Sequence, residues 1–151
     1  MARYNEIAPY VQLSGPTSFA PAIRESIKIV KKSGGGFHIL VIIADGQIMD
    51  NGETRQAIVE ATEWPLAIIV VGVGDGPWDE MEEFDDNLPA RAFDNLNFVN
   101  FHEILTRYDG DLIAFTTQAM AEVPKQFQEI RRLGLLGKTG TPRGGRGRRI
   151  Y

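Results

Sequence analysis

The spacing of apolar and polar residues changes from segment to segment along this chain. FHILVIIADG, residues 37–46, is an unbroken apolar run that stops on Asp45 and Gly46. A run without polar alternation predicts a strand over 37–44 that is buried on both faces, as in a parallel sheet covered by helices. LAIIVVGV, residues 66–73, repeats the pattern behind Pro65, and NFVNF, residues 97–101, predicts a third, shorter strand closer to alternation. Helical spacing fills the gaps. Residues 18–32 place Ile23, Ile27 and Val30 on one face, with Thr17 or Ser18 as the cap, Pro21 in the first turn, and Lys31, Lys32, Ser33 and three glycines at the end. Residues 53–62 turn Ala57, Ile58 and Ala61 inward, and a short acidic helix over 78–84 follows the loop GDGPW. A last helix is predicted over 109–132, with Leu112, Phe115, Ala119, Val123 and Phe127 as its core stripe and a kink at Pro124. Strands alternating with helices imply an α/β fold, a doubly wound parallel sheet with right-handed crossovers.

Composition narrows the picture. The 151 residues suffice for one domain with a core. There is no cysteine, which excludes disulfides, thiol catalysis and cysteine-based zinc sites in this stretch. No apolar run approaches the ~20 residues that span a bilayer, and MARYNEIAPY does not have the form of a secretion signal, so a cytoplasmic protein is expected. A net charge of -4 hides an asymmetry. Asp79, Glu80, Glu82, Glu83, Asp85 and Asp86 form an acidic cluster, read as a solvated helix face, whereas KTGTPRGGRGRRIY carries five basic residues and no acid. The expected division is a domain over 1–132 and a disordered Gly/Arg-rich tail over 133–151. Contact of that tail with nucleic acid or an anionic membrane is the lesser reading beside a solvated terminus, because one RGG unit lacks interleaved aromatics.

Few motifs carry chemistry. GVGDG, residues 72–76, lacks the GxGxxG spacing, and there is no GxxxxGK[ST] loop or GxSxG elbow. His38 and His102 lie in or beside strands without an evident Ser or carboxylate partner and read as structural. Asp45 falls at the carboxyl end of a strand, where ligands of open α/β sheets sit. It is either a ligand for a metal or polar group or the cap of the following turn. Thr17 and Asp45 can share that edge, and both offer the oxygen ligands that magnesium takes, although two ligands do not fix a near-octahedral ion.

LSGPTSFAPAI (13–23), LVIIADGQI (40–48), VVGVGDGPWDEMEEFDDNLPARAFDNLNFVNF (70–101) and AEVPKQF (121–127) together closely resemble the copine-type von Willebrand factor A domain. The third block is most similar to the version in plant-type RING-domain ubiquitin ligases; calcium-dependent membrane-binding copines share the same type. The resemblance implies a doubly wound parallel sheet with a metal-ion-dependent adhesion site at its carboxyl edge, built from a DxSxS motif, a Thr and an Asp. Thr17 and Asp45 match the Thr and the Asp, binding magnesium or another divalent cation, and Ser14, Gly15 and Gly46 shape the loops. Asp75 and Trp78 in GDGPW form either a specificity rim or a structural turn. DxSxS is absent, so the match is to the C-terminal part of an A domain with its first strands missing. Strand 37–44 would then lack a neighbour and leave an open edge suited to self-association. The implied function is a non-enzymatic protein-interaction module whose partner approaches through the metal-site face. The alternatives are a substrate-recognition part or remnant of a RING-type E3 ubiquitin ligase, itself without the RING, and a fragment of a calcium-dependent phospholipid-binding copine. Cytoplasmic, nuclear or peripheral plasma-membrane location fits these readings.

Overall fold

A computed structural model describes residues 2–11, 17–46, 48, 51–79, 81 and 91–139. Helix α1 (Ala2–Ile7) and one 3-10 turn (Ala8–Tyr10) lead into α2 (Ala20–Lys32), β1 (His38–Ala44), α3 (Asn51–Ala61), β2 (Leu66–Gly72), β3 (Leu96–Asn100), α4 (Phe101–Arg107), α5 (Leu112–Met120) and α6 (Val123–Arg132). The strands form one parallel sheet in the order β1-β2-β3, with His38 opposite Leu66 and Ile68 opposite Leu96. Helices flank it on both faces, the expected partial doubly wound α/β architecture.

Each face has its own cause. Ile23, Ile27 and Val30 of α2 and Ala57, Ile58 and Ala61 of α3 are buried against Leu66, Ile68, Val70 and Leu96, together with Leu40 and Ile42. Arg24 clips α2 to α3 by donating to Glu60 at 3.2 Å. On the opposite face Ile104, Ala119 and Val123 pack on Ile69 and Val99. The start of α2 departs from expectation. Phe19, not Thr17 or Ser18, is its N-cap residue and gives no side-chain cap. The fully buried Thr54 hydroxyl accepts from Phe19 N at 3.1 Å, while Ser18 Oγ accepts from Ala20 N.

The two long apolar runs behave differently. β2 is buried along its length, whereas β1 alternates, with Ile39, Val41 and Ile43 exposed to 37, 54 and 71%. Burial of strand 37–44 on both faces is therefore corrected. Phe37 packs on Phe127 of α6 at 5.2 Å between ring centroids, so that helix shields the amino end of β1, and cover declines toward Ile43.

The long final helix is also corrected. Residues 101–132 make three helices, because Asp109 at φ 50° and Gly110 at φ 78° turn the chain, and Pro124 lies in the first turn of α6 instead of kinking a continuous helix. The Asp111 carboxylate caps α5 by accepting from Ile113 N at 2.7 Å. Leu112, expected in the core stripe, is 61% exposed on the first turn of α5. Most of the acidic helix expected over 78–84 and most of the acidic cluster lie outside the described residues. Past α6, Gly137 N donates to Gly35 O at 2.7 Å, Lys138 Nζ donates to Glu63 O at 3.0 Å, and the same ammonium stands 4.7 Å from the Trp64 ring centroid. This clasp closes over the amino ends of β1 and β2.

Candidate functional site at the carboxyl edge

Parallel strands deliver their following loops to one side of the sheet. The loop after β1 carries Asp45 and Gly46, the loop after β2 carries GDGPW, and β3 runs directly into α4. Val73 N donates to Ala44 O at 2.8 Å, and a Cβ on Gly74 would lie 3.8 Å from Asp45 O, so the first two loops touch. Asp45 and Asp75 are exposed, and Gly46 is half-buried. Thr17 is exposed beside Ser18, whose hydroxyl lies 3.3 Å from that of Thr54 in the first turn of α3. Since α3 follows the Asp45 loop, this contact holds the 17–19 segment on the same side. Ser14 and Gly15 lie outside the described residues.

Trp78 folds back over the sheet end and is buried, with its ring 5.7 Å from that of Phe98. A Cβ on Gly72 would meet both rings at 3.1 Å, which explains glycine at the end of β2. Trp78 and Asp75 line an open cavity of about 490 Å³ with Asn100, His102, Glu103 and Arg107. Asn100 accepts from Glu103 N at 3.1 Å and thereby starts α4, and Arg107 donates to the Glu103 carboxylate at 2.5 Å.

The two histidines divide. His38 is satisfied, with Nδ1 2.7 Å from Gly36 O and Nε2 3.3 Å from Ser33 Oγ, as a structural histidine should be. His102 is exposed on the cavity rim, contrary to the structural reading. Sequence spacing does not single out Glu103 and Arg107. The available signal is their place one and two turns beyond the carboxyl end of β3.

A divalent cation meets a donor set of the right type and insufficient number. The Thr17 hydroxyl and Asp45 carboxylate are hard oxygen donors, but magnesium demands near-octahedral coordination. Among the described residues no group of three or more His, Asp or Glu side chains comes together to hold a metal.

A second groove, of about 370 Å³, runs beside β3 between α4 and the turn into α6, where Asn97 donates to Ala119 O at 3.0 Å and Glu122 lines the wall. Burial pushes the Glu122 carboxyl above its ordinary value; repulsion from Asp94 adds to this, while Lys125 and Arg91 oppose it. A carboxyl raised in the folded state binds its proton more tightly there than in the unfolded chain, so ionised Glu122 costs stability above the folded value. Glu122→Gln should therefore raise the urea midpoint at neutral pH. The gain should shrink as pH falls through the raised value and vanish below the ordinary glutamate range. A pH-independent gain would refute this origin.

The sequence matches the family described as Copine over residues 1–139. It is 50% identical over 150 residues to E3 ubiquitin-protein ligase RGLG5 of Arabidopsis thaliana, covering 89% of this chain and 35% of that protein. E3 ubiquitin-protein ligase RGLG2 of the same plant is 49% identical over 91% of this chain and 33% of its own length. Copine family protein 1 of Caenorhabditis elegans is 51% identical over 97% of this chain and 13% of its own length. The chain thus spans about a third or less of each of these relatives.

Proposed function

This chain belongs to the copine family, and from that premise we propose that it is a non-catalytic protein-interaction module that binds its partner at the carboxyl edge of the sheet. The observation that carries the reading is the open cavity of about 490 Å³ there, floored by buried Trp78 and rimmed by Asp75, His102 and the Glu103–Arg107 pair beside the Asp45 loop. Polar groups of both signs on a rigid strand-end scaffold suit a protein surface better than a single small ion.

Within this reading Thr17 and Asp45 contribute to binding magnesium or another divalent cation, Gly46, Ser14 and Gly15 shape the loops, and a partner carboxylate supplies a further ligand. Magnesium titration with and without an acidic peptide, followed by thermal unfolding and calorimetry, tests this. At tenfold excess over Kd the cation should add about 1.4 kcal/mol of stability, and Asp45→Ala should remove that gain. Equal stabilisation of the variant, or none in either protein with the peptide present, would overturn the assignment.

A second reading is favoured by the named ligases among the relatives: the chain is the substrate-recognition part of a RING-type E3 ubiquitin ligase. Identity does not separate it from a copine reading, since the ligase RGLG5 and the worm copine protein match at 50 and 51%. The stretch itself has no cysteine for the zinc sites of a RING, so its share in ubiquitin transfer would be to hold the substrate.

A further inference from the structure

The cavity of about 490 Å³ at the carboxyl edge is walled by the loop after β2 and by the junction of β3 with α4. It therefore belongs to the β2–β3 side of the sheet, away from the open side of β1. By formal charge its lining is close to balanced, with Asp75 and Glu103 against Arg107. Pairing removes the balance. Arg107 is engaged within α4, where it donates to Glu103 Oε1 one turn back. Asp75 is exposed and has no hydrogen bond or ion pair among the described residues, and the same holds for His102. A ligand entering the cavity thus meets an excess of acceptors: the Asp75 carboxylate, Glu103 Oε2 and the Thr106 hydroxyl.

The geometry of those acceptors narrows the ligand. Among the described residues no group of three or more His, Asp or Glu side chains converges on a metal, so the negative charge is spread too widely for a point cation. A guanidinium suits such a spread, because its N–H donors fan out over a plane that also stacks on aromatic rings. Trp78 lines the same cavity and is held in place there. Its ring leans on Phe98 at 5.7 Å, and a Cβ on Gly76 would stand 2.9 Å from its Nε1. We infer that this cavity takes an arginine side chain of the partner protein, with its guanidinium against Asp75 and the free oxygen of Glu103 and beside the Trp78 ring. The inference rests on the reading that the partner docks at the carboxyl edge. It adds a basic residue to the carboxylate that the partner brings to the cation.

Capped Gly-Arg-Gly, Gly-Lys-Gly and Gly-citrulline-Gly peptides, titrated into the full chain without magnesium and followed by amide chemical shifts, test this. Citrulline keeps the shape of arginine and lacks its charge. The arginine peptide should move the amides of Asp75, His102 and Thr106 saturably and bind roughly tenfold more tightly than the citrulline peptide, with the lysine peptide between them. Two substitutions should act in opposite directions. Asp75→Asn should weaken the arginine peptide roughly tenfold, whereas Arg107→Gln should tighten it by releasing Glu103 to the ligand and removing a like charge. The rest of the amide spectrum controls for folding in both variants. Weaker binding by Arg107→Gln, equal binding of the arginine and citrulline peptides, or shifts confined to other surfaces would each overturn the inference. Failure of the arginine peptide while an acidic peptide still binds with magnesium would sink this inference alone. Failure of both would take the carboxyl-edge reading with it.

Discussion

Ile68→Ala should lower the stability of the folded chain by about 3–4 kcal/mol, within the range for emptying a closed core site. Ile68 is at 0% exposure in the central strand, facing the layer made by α2 and α3. Neither helix can collapse into the gap freely, since Arg24–Glu60 and the Thr54 contacts hold their spacing. The same truncation at Ile113, 77% exposed on α5, should change stability by less than about 0.5 kcal/mol. Urea unfolding of both variants measures the contrast, with unchanged slopes showing that only the midpoint moved. Equal losses at the two positions would contradict the described core.

Gly35→Ala should be nearly as damaging, at about 2–4 kcal/mol, through strain in a left-handed residue combined with a clash. Gly35 has φ +71°, and an added Cβ would stand 2.5 Å from both N and O of Lys138. Those are backbone atoms, so relief requires moving the clasp as a unit and giving up the contacts of Lys138 with Glu63 and Trp64. Gly34 supplies the control. Its φ is +86°, but nothing lies within 4 Å of the position a Cβ would take, so Gly34→Ala carries strain alone. The difference between the two variants in thermal unfolding reads the value of the clasp. Faster hydrogen exchange at Gly137 N–H in Gly35→Ala alone would show where the damage lies.

The alternation of elements, the parallel sheet and the inward faces of α2 and α3 were all legible from spacing. Side-chain period reports amphipathicity directly wherever a helix has one buried face, as at Ile23, Ile27 and Val30. HILVIIA and LAIIVVG, by contrast, look alike as sequence and differ in place. An apolar run records that a strand favours burial, not which strand lies in the middle, and only the sheet order exposes Ile39, Val41 and Ile43. The single helix expected over 109–132 failed for a related reason. Its periodicity ran through Ala121 and Glu122 without a break, while Pro124 fits the opening turn of a new helix as well as a kink. At the carboxyl edge, Asp45 was visible because it ends a strand abruptly. Glu103 and Arg107 were not, because they enter through a helix whose start depends on an Asn100 cap.

The strand register also bears on how the chain reaches this fold. His38 meets Leu66 and Ile68 meets Leu96, so each pairing joins residues distant in the chain, and that of β1 with β2 waits until α3 has formed and swung back across the sheet. Closing such distant pairs is intrinsically slow compared with forming the helices themselves. β1 is synthesised before β2, its partner in the described sheet, and carries a long apolar run without a charged breaker. It therefore spends the assembly phase as the stickiest segment of an unfinished molecule, in need of shielding until β2 arrives. Cellular yield of this chain should then depend on how quickly β1 finds β2 as well as on the stability of the finished fold.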